Sequence, residues 1–573
     1  MRPMAELVIA LSVVFVTAGI LLLFANHFGL SPIPFYIIAG LIVGFAGEMG
    51  VVTIEQTDLV ELAQWGIAFL VFVFGIRVEF DALRSVIRDG EGAAITLLVV
   101  VAPIAFGIGY LFGEWFGFAD PVRNAIYFSA AATLSSTIVG AGLLETEIRD
   151  NLVHGRLANS IHFFDDLVAI GLILILSAEA FTADVVTSQI GYGVLFLIAA
   201  LLIYRHGFPL LIRLADGVEE LILMGSISIL IGFIAAAEYV GISIVVGAFA
   251  AGIAVRSEGA ESLGVRNGIS SIRDFFVAIF FVTVGALVQF PTVEMATIAL
   301  ALVGLVLVVN PIVLMLAFTY EGYDARTGYL ASSSLNQVSE LSLVIAIQAL
   351  LLGTIAPTLF DAIILAAAVT MILTSAARRY EDAVYERVVN RFVGRRQTRK
   401  IDERSYVRDG LEDHIVLVGY GRQGRWLVET FERIDAEYVV IENDPVIWDD
   451  LRAECRNYVL GDAMARYPWQ KANVDAASLV VSTVEHRPVS EAILEQADCD
   501  TILRAETSRE GRELLDEGAT FVNVPNVLAA DQLVETVETV VADERSRETL
   551  REQHRDTLAT LERYGFATQF GDG

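Results

Sequence analysis

Two adjacent carboxylates, Asp165 and Asp166, stand near the middle of an apolar, helix-length run, Ala158 to Leu176 (ANSIHFFDDLVAIGLILIL). An Asp at the centre of a membrane helix costs roughly 2.5–3.5 kcal/mol on insertion scales, so a neighbouring pair marks a working site. Adjacent helix positions lie about 100° apart, and only one of the two can point fully into a given cavity. Two like charges this close titrate as a coupled pair. A carboxylate that trades a proton for a metal cation is what proton-coupled ion transport requires. The competing reading is a permanently protonated pair bonded to neighbouring helices, which is easier to accept for one Asp than for two.

A second constellation lies far downstream. His414 to Val418 reads as a buried strand, followed by Gly419, Gly421, Arg422, Gln423 and Gly424 before a helix expected over Arg425 to Glu432. A further strand, Tyr438 to Ile441, ends at Glu442. Glycines make the tight turn and allow close phosphate approach, a helix N-terminus faces the phosphates, and the acid takes the ribose hydroxyls. A lone glycine pattern is weak; with strand, helix, second strand and acid in order it specifies a Rossmann-like nucleotide-binding fold. Gly461 and Asp462 follow a third strand, LVVS forms the fourth, and ILRAE and TFVNVP read as the fifth and sixth. The domain ends near residue 540, which leaves no room for a catalytic domain, so a nucleotide here is a ligand and not a redox substrate.

The elements around these residues divide the chain. Of 573 residues 55% are hydrophobic, and mean hydropathy is +0.61. Apolar runs of about 20 residues recur through residue 377, the mark of a polytopic membrane domain. Thirteen spans are expected, centred near 15, 42, 67, 103, 133, 168, 196, 228, 247, 280, 306, 340 and 367. The first reads as a retained helix and not a signal peptide. Arginines such as Arg84, Arg149, Arg156, Arg213, Arg326 and Arg378 fall in alternate loops, and the opposite loops carry Arg123 with the acids Glu55, Asp58, Glu114, Asp184 and Glu294. That asymmetry places the N-terminus outside and everything after residue 378 in the cytoplasm. The expected division is a membrane domain over 1–378, a charged linker over 379–412, a nucleotide-binding domain over 413–540 and a helical tail over 541–573.

Two spans are interrupted by polar residues. Span five carries Thr133, Ser135, Ser136 and Thr137; span twelve carries Ser332, Ser333, Ser334, Asn336, Gln337, Ser339 and Glu340. If spans one to six and eight to thirteen are inverted repeats about span seven, the interruptions are equivalent, which is where a transporter builds its midplane site. Serine-mediated helix packing is the alternative. Span eleven adds Asn310 beside Pro311, a kink that frees a carbonyl. Net charge is −30, and only Lys400 and Lys471 are lysines among 39 basic residues. This resembles the proteins of a halophilic archaeon that accumulates salt, and it disfavours nucleic acid as a partner. Cys455 and Cys499 have no metal-like spacing.

The order TLSST, FFDDLVAI, FFVTVGALV, VNPIV and a Ser-rich break resembles the second cation:proton antiporter superfamily, with its Kef-type and NapA/NhaA-like sodium or potassium–proton antiporters. The second constellation resembles the TrkA-N (RCK) regulatory domain, in which a Gly-Asp turn such as Gly461-Asp462 lies near the adenosine. The resemblance implies a multi-pass cell-membrane antiporter, an elevator-type homodimer and not an enzyme. It would exchange Na⁺ or K⁺ for H⁺ across the lipid bilayer, with NAD(H) or AMP/ADP as regulatory ligand. It also implies ion and proton binding at Asp165 and Asp166. The hydroxyls of Thr133, Ser135, Ser136 and Thr137, with Asn310 and Glu340, would complete the site. The sodium-type branch pairs the first Asp with a Lys at the position of Asn310. With a neutral residue here, mutual repulsion is expected to keep one proton on the pair, so that exchange is one for one; if both protons leave, exchange is electrogenic. A nucleotide-gated channel would need a selectivity-filter loop of the TVGYG kind, which the chain lacks. A membrane-tethered redox sensor would need a catalytic domain.

Overall fold

The computed structural model describes residues 2–48, 56–77, 91–149, 152–176, 183–216, 218–256, 275–289, 292–542, 550–552 and 554–556. Arg84, Glu55 and most of the expected tail lie outside them. The chain forms two units, Met1–Glu321 with Gly328–Ala383, and Gly322–Thr327 with Val384–Gly573.

The first unit is helical: α1 (Arg2–Phe28), α2 (Ile33–Glu48), α3 (Gln56–Arg77), α4 (Gly92–Phe116), α5 (Pro121–Thr133), α6 (Thr137–Leu143), α7 (Val153–Leu176), α8 (Thr187–Ala215), α9 (Glu219–Val240), α10 (Ile244–Ala254), α11 (Phe275–Ala286), α12 (Val293–Glu321), α13 (Ala325–Ser333), α14 (Glu340–Leu351) and α15 (Pro357–Ala377). Among the described residues, α4, α7, α8, α9, α12 and the helix that begins at Pro357 are long and apolar enough to cross a membrane. Each expected span centre falls on one of these helices, and 133 and 340 fall where a helix stops or starts.

Four wide, π-type turns occur among the described residues; one, Tyr385–Val389, follows α15 with no proline after it, and the others are Leu97–Val101, Ile203–Gly207 and Leu305–Val309 in α4, α8 and α12. The α4, α8 and α12 turns share a cause. Each precedes a proline by two residues: Pro103, Pro209 and Pro311. Proline has no N–H for the carbonyl four residues back and its ring crowds that carbonyl, so the helix widens there instead of breaking. The third of these turns delivers Asn310 into the protein interior, 3% exposed.

The two interruptions are unwound in different helices and meet. After Thr133 the chain runs extended through Leu134, and Ser136 restarts α6 as its N-cap, its hydroxyl accepting from Val139 N. Ser339 restarts α14 in the same way through Leu341 N. The freed backbone is satisfied by mutual pairing: Ser135 bridges Val338 antiparallel, and Ser339 N donates to Leu134 O at 3.0 Å. Unwound backbone inside a membrane needs partners of this kind.

The second unit begins with α16 (Asn390–Arg404). It then alternates β1 (His414–Val418), α17 (Arg422–Arg433), β2 (Tyr438–Glu442), α18 (Trp448–Glu454), β3 (Tyr458–Leu460), α19 (Arg466–Lys471), β4 (Ala477–Ser482), α20 (Arg487–Gln496), β5 (Asp500–Arg504), α21 (Ser508–Asp516) and β6 (Phe521–Asn523), and ends in α22 (Pro525–Ala542). The sheet is parallel throughout, in the order β3-β2-β1-β4-β5-β6. That is the doubly wound order with its switch point between β1 and β4. Short Val/Ile-rich strands buried on both faces suit a parallel sheet. Its cores hold Val416, Val439 and Trp469 on one side and Leu417, Tyr438 and Leu451 on the other. Helix α17 starts at Arg422, three residues before the expected Arg425, because the glycine turn is complete at Gly421.

Candidate functional site

The crossing of the two unwound stretches lies against α7, and its carboxylates take hydroxyls from the first stretch and from the start of α6. Asp165 Oδ2 accepts from Ser135 N at 2.9 Å and Ser135 Oγ at 2.5 Å. Asp166 Oδ1 accepts from Thr137 Oγ1 at 2.9 Å. The offset between adjacent helix positions shows in their surroundings: Asp165 is 3% exposed, whereas Asp166 is half-buried. Two donors fix the buried carboxylate at one oxygen, and the half-buried one stands nearer the surface.

The other expected residues hold the crossing together. Glu340 is fully buried, and its Oε1 accepts from Ile138 N at 3.0 Å, so an acid from α14 caps the start of α6. Asn310 Nδ2 donates to Ala132 O at 2.7 Å, on a carbonyl that the end of α5 leaves free. Its amide therefore serves the broken backbone and not a carboxylate. The Ser136 hydroxyl caps α6. Thr133 donates back into its own helix, to Ser129 O at 2.8 Å, and is not brought to the Asp pair by a hydrogen bond.

One participant escapes a reading of the sequence, and a second is named there only as one polar residue of span twelve. His162, three residues before Asp165, is completely buried, and its Nδ1 lies 3.3 Å from Ser135 Oγ. With the Ser135 hydroxyl donating to Asp165, His162 Nδ1–H is the donor to Ser135, which sets the tautomer. Gln337 bridges the crossing, its Nε2 donating to Ser136 O and Ser334 O. Their signal was faint: one His in an apolar helix looks like a packed core residue, and one Gln is lost in a Ser-rich run. Buried oxygens around the crossing lack a donor, among them Asn310 Oδ1, Gln337 Oε1 and Glu340 Oε2. Carbonyl and carboxylate oxygens are the ligands that a hard cation takes.

In the second unit the phosphate cradle is formed by backbone. Gly419 has φ +93°, a conformation open to glycine, and a Cβ on Gly424 would stand 2.2 Å from Gly419 O, so the turn and α17 can be this close only without side chains. No side chain caps α17, which leaves its first N–H groups for an anion. Gly421, Arg422, Gln423, Thr483 and Arg504 line a cavity of about 220 Å³ at that end. Arg504 is the residue sequence reasoning missed. It donates to Gln423 Oε1 at 2.7 Å and pairs with Glu485 at 2.7 Å, and its buried Nε has no partner. A lone Arg at the end of β5 carries no motif, and only the sheet order brings it to the glycine turn.

Glu442 ends β2 beside that turn. Its Oε2 accepts from Tyr420 N at 2.6 Å, and its Oε1 from Asn443 N and Asp444 N at 2.8 and 2.9 Å. Burial pushes the carboxyl above the usual range, and these N–H groups oppose the shift. Oε2 keeps a lone pair for a ribose hydroxyl. Asp462, after β3, accepts from Met464 N and pairs with Arg326. The cradle, the open helix end and the unpartnered Arg504 Nε fit an adenine nucleotide.

Crossed broken helices on a carboxylate pair, joined to a nucleotide-binding sheet, define an ion exchanger with a ligand-binding domain. The sodium/hydrogen exchanger transmembrane family matches residues 11–378, and the TrkA-N domain matches 415–525. The chain belongs to the sodium/hydrogen exchanger family and carries a C-terminal TrkA-N domain; it is a cation:proton antiporter. The YbaL protein of Escherichia coli (strain K12), named as a cation/proton antiporter, is 26% identical over 562 residues, 92% of this chain and 97% of its own. The glutathione-regulated potassium-efflux system protein KefC of Salmonella schwarzengrund (strain CVM19633) is 24% identical over 480 residues, 82% of this chain and 74% of its own. A crystal structure of the TrkA-N domain of the E. coli ybaL protein is 29% identical and covers 22% of this chain and 98% of that one, with a TM-score of 0.21.

Proposed function

We propose that this antiporter exchanges Na⁺ or K⁺ for H⁺ at Asp165 and Asp166, with an adenine nucleotide, NAD(H) or AMP/ADP, regulating it from the second unit. The observation that carries the reading is the pair of hydroxyl contacts at the helix break: Asp165 receives one from Ser135 in the unwound stretch, and Asp166 one from Thr137, the first residue of α6. Those hydroxyls can turn their oxygens to a cation once the proton has gone, and the donor-free oxygens of Asn310 and Glu340 lie on the same crossing. Asp166 exchanges its ligand; Asp165, fixed by two donors at Oδ2, keeps the proton that stays on the pair. Proton and cation compete for one site, and exposing it alternately to each side gives antiport without further machinery.

In this reading residues 1–378 cross a cell membrane thirteen times with the N-terminus outside, and 379–412 lead to a cytoplasmic nucleotide domain over 413–540. A homodimer is supported by α22, where Leu533, Val537 and Val541 leave an apolar stripe exposed at helical spacing. In proteoliposomes, Na⁺ or K⁺ gradients should drive proton flux, and the neutral Asn310 makes that flux insensitive to a clamped membrane potential. Flux driven by neither ion overturns the transport reading.

A further inference from the structure

The segment Gly322–Thr327 joins α12 to α13, yet it clusters with the nucleotide-binding unit and not with the membrane helices on either side of it. Two contacts reach that unit, and a third side chain shapes the segment itself. Arg404 Nη1, at the end of α16, donates to Gly322 O at 3.2 Å. Asp324 caps α13, its Oδ1 accepting from Arg326 N and Thr327 N, both at 2.9 Å. Arg326 Nη1 then pairs with Asp462 Oδ2 at 3.2 Å, the two side chains 13% and 7% exposed. A pair this sheltered differs from a surface salt bridge, because losing one partner strands a buried charge. Burial and the adjacent Asp462 push Asp324 up to about 6, and Arg326 is a cation that both carboxylates feel.

Asp462 also stands where a bound nucleotide has to end. With phosphate at the glycine turn after β1 and ribose at Glu442 after β2, the base extends toward the next strand in the sheet, which is β3. Asp462 follows β3 directly, and its turn is tied to β2 by Gly461 N donating to Glu442 O at 2.7 Å. Ligands of such sheets bind at this carboxyl edge. Arg326 therefore occupies a carboxylate that lies on the path of the adenosine.

We propose that Arg326 is a tethered competitor for Asp462: the 322–327 loop and the adenosine end of a bound adenine nucleotide contend for one carboxylate. The contest couples nucleotide to transport, because Arg326 lies in the first turn of α13, and α13 leads directly into the unwound stretch of the exchange site. Releasing Arg326 removes the anchor at the start of that half-helix. The proposal rests on the nucleotide reading above. A coupling of this kind is reciprocal, so the loop must weaken nucleotide binding by the factor with which nucleotide weakens the loop.

The test uses full-length protein in proteoliposomes, with ADP and NADH as probes. Arg326→Gln removes the competitor, so affinity for the probe that binds rises on the order of tenfold. Cation-driven proton flux in that variant no longer depends on nucleotide. Arg326→Lys keeps the charge and keeps wild-type affinity and dependence, which separates the ion pair from the packing of the loop. Wild-type affinity in Arg326→Gln, with flux that still follows nucleotide, overturns the proposal. Wild-type protein that binds neither probe overturns the nucleotide reading beneath it, and that result appears before any substitution is made.

Discussion

Single residues here act through how many partners their atoms already have. Glu442 is committed to three backbone N–H groups and keeps room for a ribose hydroxyl at Oε2. Glu442→Ala should weaken adenine-nucleotide binding by about 1.5–3 kcal/mol, the loss of a charge-assisted bond, measured by calorimetry on the full-length chain. Unchanged affinity would remove Glu442 from the site. Cys455 is 8% exposed and its thiol is pushed up to about 11 by burial, so little thiolate exists near neutrality. Native protein at pH 8 should leave Cys455 unalkylated by iodoacetamide, and denaturant should make it react. The Asp pair and the glycine turn were legible because their residue types are costly or unusual where they stand. His162, Gln337, Arg504 and Arg326 were not, because each is an ordinary residue in its own neighbourhood. Each acquires its role from a partner that is distant in sequence, such as Asp462 for Arg326, 136 positions away.

At the scale of elements, periodicity and punctuation did most of the work. The polar runs of the fifth and twelfth spans located the unwound stretches, since Ser and Thr favour caps over helix interiors. The way the two stretches pair with each other, Ser135 with Val338, could not be read from either one alone. Proline marked the wide turns of α4, α8 and α12, but the answer to a mid-helix proline, widening or breaking, depends on the packing around it. The arginine asymmetry makes a prediction for α8. A cysteine placed near Asp184 should react with an impermeant maleimide from outside the cell, and one near Arg213 should react only after permeabilisation. Cys499 is only half-buried, so the labels are placed in a Cys499→Ser background. The reverse pattern would shift the span count by one and put the second unit on the wrong side of the membrane.

For the whole molecule, the chain joins an exchanger to a TrkA-N domain and leaves the α22 stripe exposed. If that stripe forms the dimer, Leu533→Asp with Val537→Asp should convert the detergent-solubilised protein from dimer to monomer by mass photometry, with the nucleotide site intact. A wild-type protein that is already monomeric would remove the dimer from the account. The acidic composition is spread through both units and does not say what the protein carries. In the proposed exchange, what it carries is decided at α7. The most direct measurement is proton flux driven by a Na⁺ or K⁺ gradient in proteoliposomes of Asp166→Asn beside wild type, each confirmed folded by its elution as a single species. The amide keeps the shape of the side chain and accepts from Thr137, but it can neither carry a proton nor balance a cation. Flux in the variant should fall to that of empty liposomes. Cation-driven flux at the wild-type rate would contradict exchange at the Asp pair.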